Sequence, residues 1–298
     1  MIFKKISDWD DILFNYRLKK KHLRILRQVE FHVVNHCNLN CCGCDHFSPL
    51  ADKWYANVNH VTKDFKQLAK IFDFIKRIHI LGGEPLLHPD LIDFFKPVRK
   101  YFPYSKICLI TNGTLLEKQT NEFWEALKRF DITLSMTYYP IKAPYEFYAH
   151  KCYDSGIDVE LFFGRPDEYF FRHRFVMTHL NLNVEGKSNE ESAYRKCQLR
   201  DCHFLEDGKL YVCPVVSNIK FLNQHFNLNF KSAKTDYVDI YECTNSVKIN
   251  KWLSSCIPFC RYCSTSDRPL YEFSVSGKQM NEWLDAQTLS ALETRPYA

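Results

Sequence analysis

Thirteen cysteines in 298 residues dominate the chemistry open to this chain. Cys37, Cys41 and Cys44 share one short loop, HCNLNCCGCDHF, at C-x3-C-x2-C spacing. A four-iron cluster usually takes four cysteines, so three thiolates this close leave one iron open to another ligand. Zinc is the alternative occupant, with Cys42 or His46 completing a closed four-ligand site. Cys197, Cys202, Cys213, Cys256, Cys260 and Cys263 form a second, later group. Four thiolates from it would close one [4Fe–4S] cluster or one zinc ribbon. Cys42, Cys108, Cys152 and Cys243 are expected to have no metal role. Cys108 lies inside an apolar strand and reads as a small buried hydrophobe.

The elements around these residues alternate strand, loop and helix. VEFHVV (29–34) reads as a strand leading into the cysteine loop, and 62–77 as a helix with Thr62 as N-cap. IHIL (78–81) is a strand ending in Gly82-Gly83, followed by a helix over 90–102 that kinks or stops at Pro97. KICLI (106–110) ends in Thr111-Asn112-Gly113, and helix 119–130 precedes the strand ITLSMTY (132–138). A helix closed by Gly156 leads to the strand VELFF (159–163), with a weaker sixth strand near 174–179. This alternation predicts a parallel sheet or partial barrel, with chemistry at the C-terminal ends of the strands. After about residue 185 the rhythm stops. CHFLEDGKLYVCPVV reads as a hairpin turning at Asp207-Gly208, and helices are expected at 238–254 and 277–293. The expected division is a helical extension over 1–28, a core over 29–185 and a cysteine-rich module over 186–298. The extension has a basic end (Lys19, Lys20, Lys21, Arg24, Arg27), read as a solvated face ahead of a docking surface for an acidic partner.

These motifs, in this order, resemble the radical S-adenosylmethionine (SAM) superfamily. The resemblance implies a partial (β/α)6 TIM-like barrel in which Cys37, Cys41 and Cys44 hold a [4Fe–4S] cluster and SAM chelates the open iron. Leu81-Gly82-Gly83-Glu84-Pro85 matches the family's GGE motif, so Gly82, Gly83 and Glu84 are expected at the methionine moiety, with the glycines allowing close backbone approach. Asn112 and Ser135 stand at two further positions of SAM contact, the latter at the ribose. Where the family often has an aromatic residue before the third cysteine, this chain has Gly43, and Phe47 is the nearby alternative. Cys197-x10-Gly208-x4-Cys213 with Cys260-x2-Cys263 is similar to the opening and closing of auxiliary-cluster modules called SPASM and twitch. Twitch, with one auxiliary [4Fe–4S] cluster, matches better. Cys202 and Cys256 are the substitutes if one of those four is not a ligand.

The resemblance implies reductive cleavage of SAM to a 5′-deoxyadenosyl radical that abstracts a substrate hydrogen. The auxiliary cluster points to a dehydrogenase or epimerase acting on a sugar- or cyclitol-type small molecule. The short stretch before the first strand leaves no room for a leader-binding domain, which favours that substrate over a peptide. A peptide-modifying maturase is the alternative, and a non-catalytic metal-binding protein on a degenerate core the second. His46, Tyr138 and Arg165 are the candidate catalytic residues, with Tyr139 beside them in the pocket. An external electron donor such as flavodoxin or ferredoxin is the implied protein partner.

Composition agrees with a soluble globular chain: 46% hydrophobic, 25% charged, net charge +5. That charge is small and dispersed, and seven thiolates with two cluster cores would lower it to about +2, so no nucleic-acid partner is expected. The N-terminus has no apolar signal region and no stretch long enough to span a membrane. A cytoplasmic location is expected, where cysteines bind metals more often than they pair.

Overall fold

The computed structural model describes residues 24–162, 176–178, 180–265 and 270–293. Five parallel strands form the heart of one open sheet: β1 (Ile25–Val34), β2 (Phe74–Gly82), β3 (Lys106–Thr111), β4 (Ile132–Thr137) and β5 (Val159–Phe162). The short β6 (Val176–Thr178) does not join them; it pairs antiparallel with β10 (Leu270–Glu272). The sheet instead grows from the other edge of β1. There β7 (Phe204–Glu206) lies parallel to β1, with Glu30 opposite Phe204, and β8 (Lys209–Tyr211) and β9 (Tyr237–Asp239) continue antiparallel. The strand order is β5-β4-β3-β2-β1-β7-β8-β9. The architecture is therefore a mostly parallel, unclosed α/β sheet with a cysteine-rich C-terminal region, and the late hairpin is an extension of the core sheet.

Helices α1 (Val58–Ile71), α2 (Phe95–Tyr101), α3 (Asn121–Arg129) and α4 (Tyr145–Ser155) follow the first four strands. Four shorter or later helices follow: α5 (Glu190–Lys196), α6 (Pro214–Phe226), α7 (Ser246–Leu253) and α8 (Ala286–Glu293). Several boundaries differ from the sequence reading. β1 begins at Ile25, so residues 25–28 are strand and not the end of an N-terminal helix; residues 1–23 lie outside the described part. α1 starts one turn early, capped by Asn57, whose Oδ1 accepts from the Asn59 N–H at 2.9 Å, which puts Thr62 inside the helix. β2 begins at Phe74, four residues before the expected strand. Pro97 neither stops nor kinks its helix. A 3-10 turn over Leu91–Phe94 leads into α2, and Pro97 sits in the first turn, where its missing N–H has no partner to lose. The hairpin turns as expected, with Asp207 at φ 48° and Gly208 at φ 73°, the pair of positive angles that a type I′ turn needs. Late in the chain α7 begins only at Ser246 and α8 at Ala286, because β9 and a 3-10 turn (Met280–Glu282) take the preceding residues.

The two faces of the parallel sheet differ. Val29, Phe31, Val33, Ile78, Ile80, Ile107, Leu109, Ile132, Leu134 and Met136 are buried in one apolar core with Phe65, Leu68, Phe95, Phe123 and Leu127 of the helices. Each fully buried side chain of this kind contributes about 1.5–3 kcal/mol. The alternating positions carry Glu30, His32, Arg77, His79, Cys108, Thr133, Ser135 and Glu160. Below them, Leu26 and Ile75 close the N-terminal end. A parallel sheet buried on both faces is usually apolar on both. The polar alternation here lines the interior beneath the C-terminal edge.

Candidate active site

The cysteine loop leaves the C-terminal end of β1 in a strained path. Asn40 (φ 49°), Gly43 (φ 63°) and Phe47 (φ 54°) all adopt left-handed backbone. A non-glycine residue there costs about 1–2 kcal/mol, which accounts for Gly43 at the position where an aromatic residue was expected. Phe47 does not replace that aromatic. Its side chain is fully buried, with its ring 6.2 Å from Trp283.

A distant segment clamps this loop. Cys42 N–H donates to the Ser274 carbonyl at 2.9 Å, and Ser276 N–H to the Asn40 carbonyl at 2.7 Å. Gly43 N–H reaches Glu282 Oε2 at 3.4 Å, and Trp283 Nε1–H donates to the Cys44 carbonyl at 2.9 Å. The clamp carries no local sequence signal, because its partners lie more than 230 positions apart.

Gly82 and Gly83 bring the end of β2 against the same loop. A Cβ on Gly82 would lie 2.2 Å from the Val34 carbonyl oxygen, and one on Gly83 would lie 2.1 Å from the His36 oxygen and 2.7 Å from Cys37 N. The close approach that demands glycine is thus to the chain's own backbone. Gly83 N–H donates to the Val34 carbonyl and Glu84 N–H to that of His36. The Glu84 carboxylate is fully buried: Oε1 accepts from Leu86 N at 3.0 Å and Thr111 Oγ1 at 2.6 Å, and Oε2 from Asn112 N at 2.8 Å. Burial pushes its pKa up to about 7, against the pull of those three donors. Glu84 is therefore a brace between the ends of β2 and β3.

Asn112 carries the brace on to the cysteines. Its Nδ2 donates to Asn38 Oδ1 at 3.0 Å and lies 3.8 Å from Cys37 Sγ, and its Oδ1 accepts from Thr114 Oγ1 at 2.6 Å. Ser135 is buried on β4 between Ile110 and Glu160. Tyr139, a few residues further, donates its hydroxyl to Cys41 and lies near Cys37 and Cys44. Tyr138 turns outward, 38% exposed, with its ring 4.8 Å from Tyr145. Arg165 lies outside the described residues.

His46 ends a relay. His32 Nδ1 lies 2.8 Å from Asn35 Oδ1, and His32 Nε2 lies 2.7 Å from His46 Nδ1. Burial, then the neighbouring His46, push the His32 pKa well below its usual value, so His32 is neutral at pH 7. The Asn35 oxygen fixes its proton on Nδ1, so its Nε2 accepts from His46. That leaves the outer nitrogen of His46, 3.8 Å from Asp45, as the proton-accepting atom.

Burial raises the Cys37 thiol and pushes Cys41 up to about 12, and Cys44 is also raised, mainly by burial. Thiols in this setting ionise only beside added positive charge, as a metal supplies. In the late group, Cys213 is influenced by Cys197, Cys263 and Cys260, and Cys260 by Cys197 and Cys256. The structure thus gathers Cys197, Cys213, Cys260 and Cys263 into one neighbourhood. Cys197 ends α5, Cys213 caps α6, and the closing pair flanks the 3-10 turn Pro258–Tyr262. The Cys202 thiol is raised by burial and then by Glu30, Asp45, Cys197 and Asp201, so acidic groups outweigh the late thiols around it. Among the described residues, no three Cys, His, Asp or Glu side chains are drawn tightly enough around one point for a single metal ion. Cys42 turns instead towards Ser274 and Glu282, and Cys108 towards Arg77.

Comparison with known proteins agrees with this geometry. Residues 31–158 match the radical SAM superfamily model. The GTP 3′,8-cyclase of Clostridium perfringens is 31% identical over 121 residues, 39% of this chain and 37% of that enzyme. That of Aliarcobacter butzleri is 38% identical over 115 residues, 36% and 35% of the two chains. The match thus spans little more than a third of those relatives. Among solved structures, BtrN in complex with AdoMet and 2-DOIA is 17% identical, covering 87% of this chain and 98% of its own, at a TM-score of 0.48. Streptococcus suis SuiB bound to its precursor peptide SuiA is also 17% identical, covering 57% and 42%, at 0.38. Among the described residues no helix is long and apolar enough to cross a membrane. The matched segment, residues 31–158, holds the three-cysteine loop and the GGE turn together, so this part of the chain is similar to the radical SAM superfamily.

Proposed function

We propose that this chain oxidises or epimerises a sugar- or cyclitol-type small molecule by radical SAM chemistry. The observation that carries the reading is the three-thiol loop at the end of β1, locked by backbone hydrogen bonds to the glycine turn that ends β2. When bound, cluster and SAM supply a 5′-deoxyadenosyl radical that removes a hydrogen atom from substrate. The protein's part is to hold, orient and shield. Cys37, Cys41 and Cys44 hold the cluster. Gly82 and Gly83 keep the strand end close enough for backbone acceptors to face the SAM ammonium, and Glu84 and Asn112 brace that end against β3. Ser135 would contact the ribose of bound SAM, and the Tyr139 hydroxyl would tune the Cys41 sulfur by hydrogen bonding. His46, its proton fixed on the inner nitrogen by His32, accepts the proton that a carbinol loses on oxidation. Cys197, Cys213, Cys260 and Cys263 would hold an auxiliary cluster closed by four protein ligands, the group that would take the remaining electron of that oxidation. The polar lining of the sheet supports a polar substrate.

Anaerobic reconstitution with iron counting, followed by an assay of 5′-deoxyadenosine from SAM with dithionite, tests the reading. About eight irons per chain are expected, with product formation abolished in Cys41→Ala. A chain that takes up zinc and never cleaves SAM would overturn it.

A further inference from the structure

The polar face of the sheet carries a continuous chain of side chains that the roles above do not use. Lys106 Nζ and Arg77 Nη2 each lie 2.6 Å from one oxygen of Glu160. Arg77 also donates to Cys108 Sγ at 3.4 Å and, through Nε, to His79 Nε2 at 3.3 Å. Since arginine can only donate, His79 must carry its proton on Nδ1. That nitrogen faces Glu30 Oε2 at 3.7 Å. The chain ends there. Glu30 Oε1 is buried and has no hydrogen-bond partner among the described residues, and Glu30 as a whole is 4% exposed.

Among the described residues it is the buried carboxylate oxygen left without a hydrogen-bond partner, a costly state for a charged group. Its position gives it meaning. Glu30 lies two residues before His32 on the same face of β1, roughly 7 Å away along the strand. His32 in turn bonds His46, two residues beyond Cys44. The negative charge of Glu30 also helps to raise the Cys202 thiol, together with Asp45 and Cys197. The free oxygen therefore belongs to the polar face of β1, the strand that leads into the first cysteine loop, and its carboxylate is felt at Cys202.

We propose that Glu30 anchors a hydrogen-bond donor of the substrate, a hydroxyl or an amine, at the polar face of β1. The inference rests on the radical SAM reading above and adds the residue that selects the substrate. His79, itself bonded by Arg77, stands 3.7 Å from the other oxygen, Oε2, and leaves Oε1 to the ligand.

The test uses the reconstituted holoenzyme and a panel of polyols, amino sugars and aminocyclitols, each paired with its O-methyl or N-acetyl form. Binding is measured by calorimetry on wild type, Glu30→Gln and Glu30→Ala. Compounds that bind wild type should carry a free hydroxyl or amine, and their Kd should rise at least tenfold in both variants. The rise should be larger for amines in Glu30→Gln, which keeps the shape and loses the charge. A wild-type readout guards against a misfolded variant: difference infrared spectra should show a carboxylate band shifting on binding. Absence of any binder in the panel, equal affinity for the capped forms, unchanged Kd in well-folded Glu30→Gln, or no carboxylate shift would each overturn the proposal. Wild-type SAM cleavage is measured separately. Its absence sinks the radical SAM reading, whereas cleavage with Glu30-independent binding sinks only this inference.

Discussion

Replacing Gly83 by alanine isolates the contact that joins the glycine turn to the cysteine loop. The new methyl would lie 2.1 Å from the His36 carbonyl oxygen and 2.3 Å from its carbon. Ordinary contact begins near 3.4 Å, so strand or loop must yield by about 1.3 Å, and both sides of the clash are backbone. No flexible side chain can absorb it. Overpacking of this kind costs about 1–3 kcal/mol, which for a chain of this size lowers Tm by roughly 2–12 °C. The functional loss should be larger than the stability loss. His36 immediately precedes Cys37, and a displacement of about 1 Å at a reacting centre can cost on the order of a hundredfold in rate. Purified Gly83→Ala should lose the iron of the first loop, retaining about four of about eight atoms per chain, and should form 5′-deoxyadenosine at least about a hundredfold more slowly. Gly277→Ala is the control, because its nearest neighbour would be 3.6 Å away and its φ is not positive. If Gly83→Ala kept full iron, a wild-type melting temperature and a wild-type rate, the contact would not be positioning the loop.

Three further outcomes follow from the same geometry. In the apo-protein, the Glu84 carboxyl titrates at about 7 instead of 4.5, so its contribution to stability is complete below about pH 4.5 and is lost as pH rises through 7. Glu84→Gln should remove that dependence, on the order of 3 kcal/mol, measured as the urea midpoint of both proteins at pH 5 and pH 7.5. Trp283→Phe should cost about 1 kcal/mol through the lost bond to Cys44, and Trp283→Ala about 3–5 kcal/mol because the side chain is fully buried. In both, a chelator should strip iron faster than from wild type. Cys213→Ser should halve the iron content and Cys202→Ser should leave it unchanged, since only the former is surrounded by the other late thiols.

Local chemistry was legible in the sequence, and long-range closure was not. The parallel strands, the Asp207-Gly208 turn and the first cysteine loop depend on spacing within a few residues. The start of α1 was misplaced because Thr62 and Asn57 both have capping chemistry, and only the packed helix shows which one is used. β2 was shortened because Phe74–Arg77 fits a helical period as well as a strand. Glu84 was read as facing a ligand, but its oxygens turn to β3, which no one-dimensional pattern reveals. One signal was present and missed. Glu30 and His32, Arg77 and His79, and Thr133 and Ser135 alternate with apolar residues, the mark of a sheet with one polar side. The sixth strand forms over Val176–Thr178, but it pairs antiparallel with β10 and does not join the parallel sheet, a long-range pairing that no local pattern shows.

The clamp over residues 274–283 also sets an order of events in the life of the chain. Gly43 and Cys44 each wait for a partner 239 positions later in the sequence. At about 5–20 residues per second of synthesis, that is roughly 10–50 s during which the loop leaves the ribosome without its closing contacts. Contacts of such long sequence separation also form slowly once the chain is free. Closure of the loop is therefore a late step, waiting on synthesis of residues 274–283. A nascent chain stalled before residue 274 would present all three thiols of the first loop and yet have nothing to hold its left-handed turns in place.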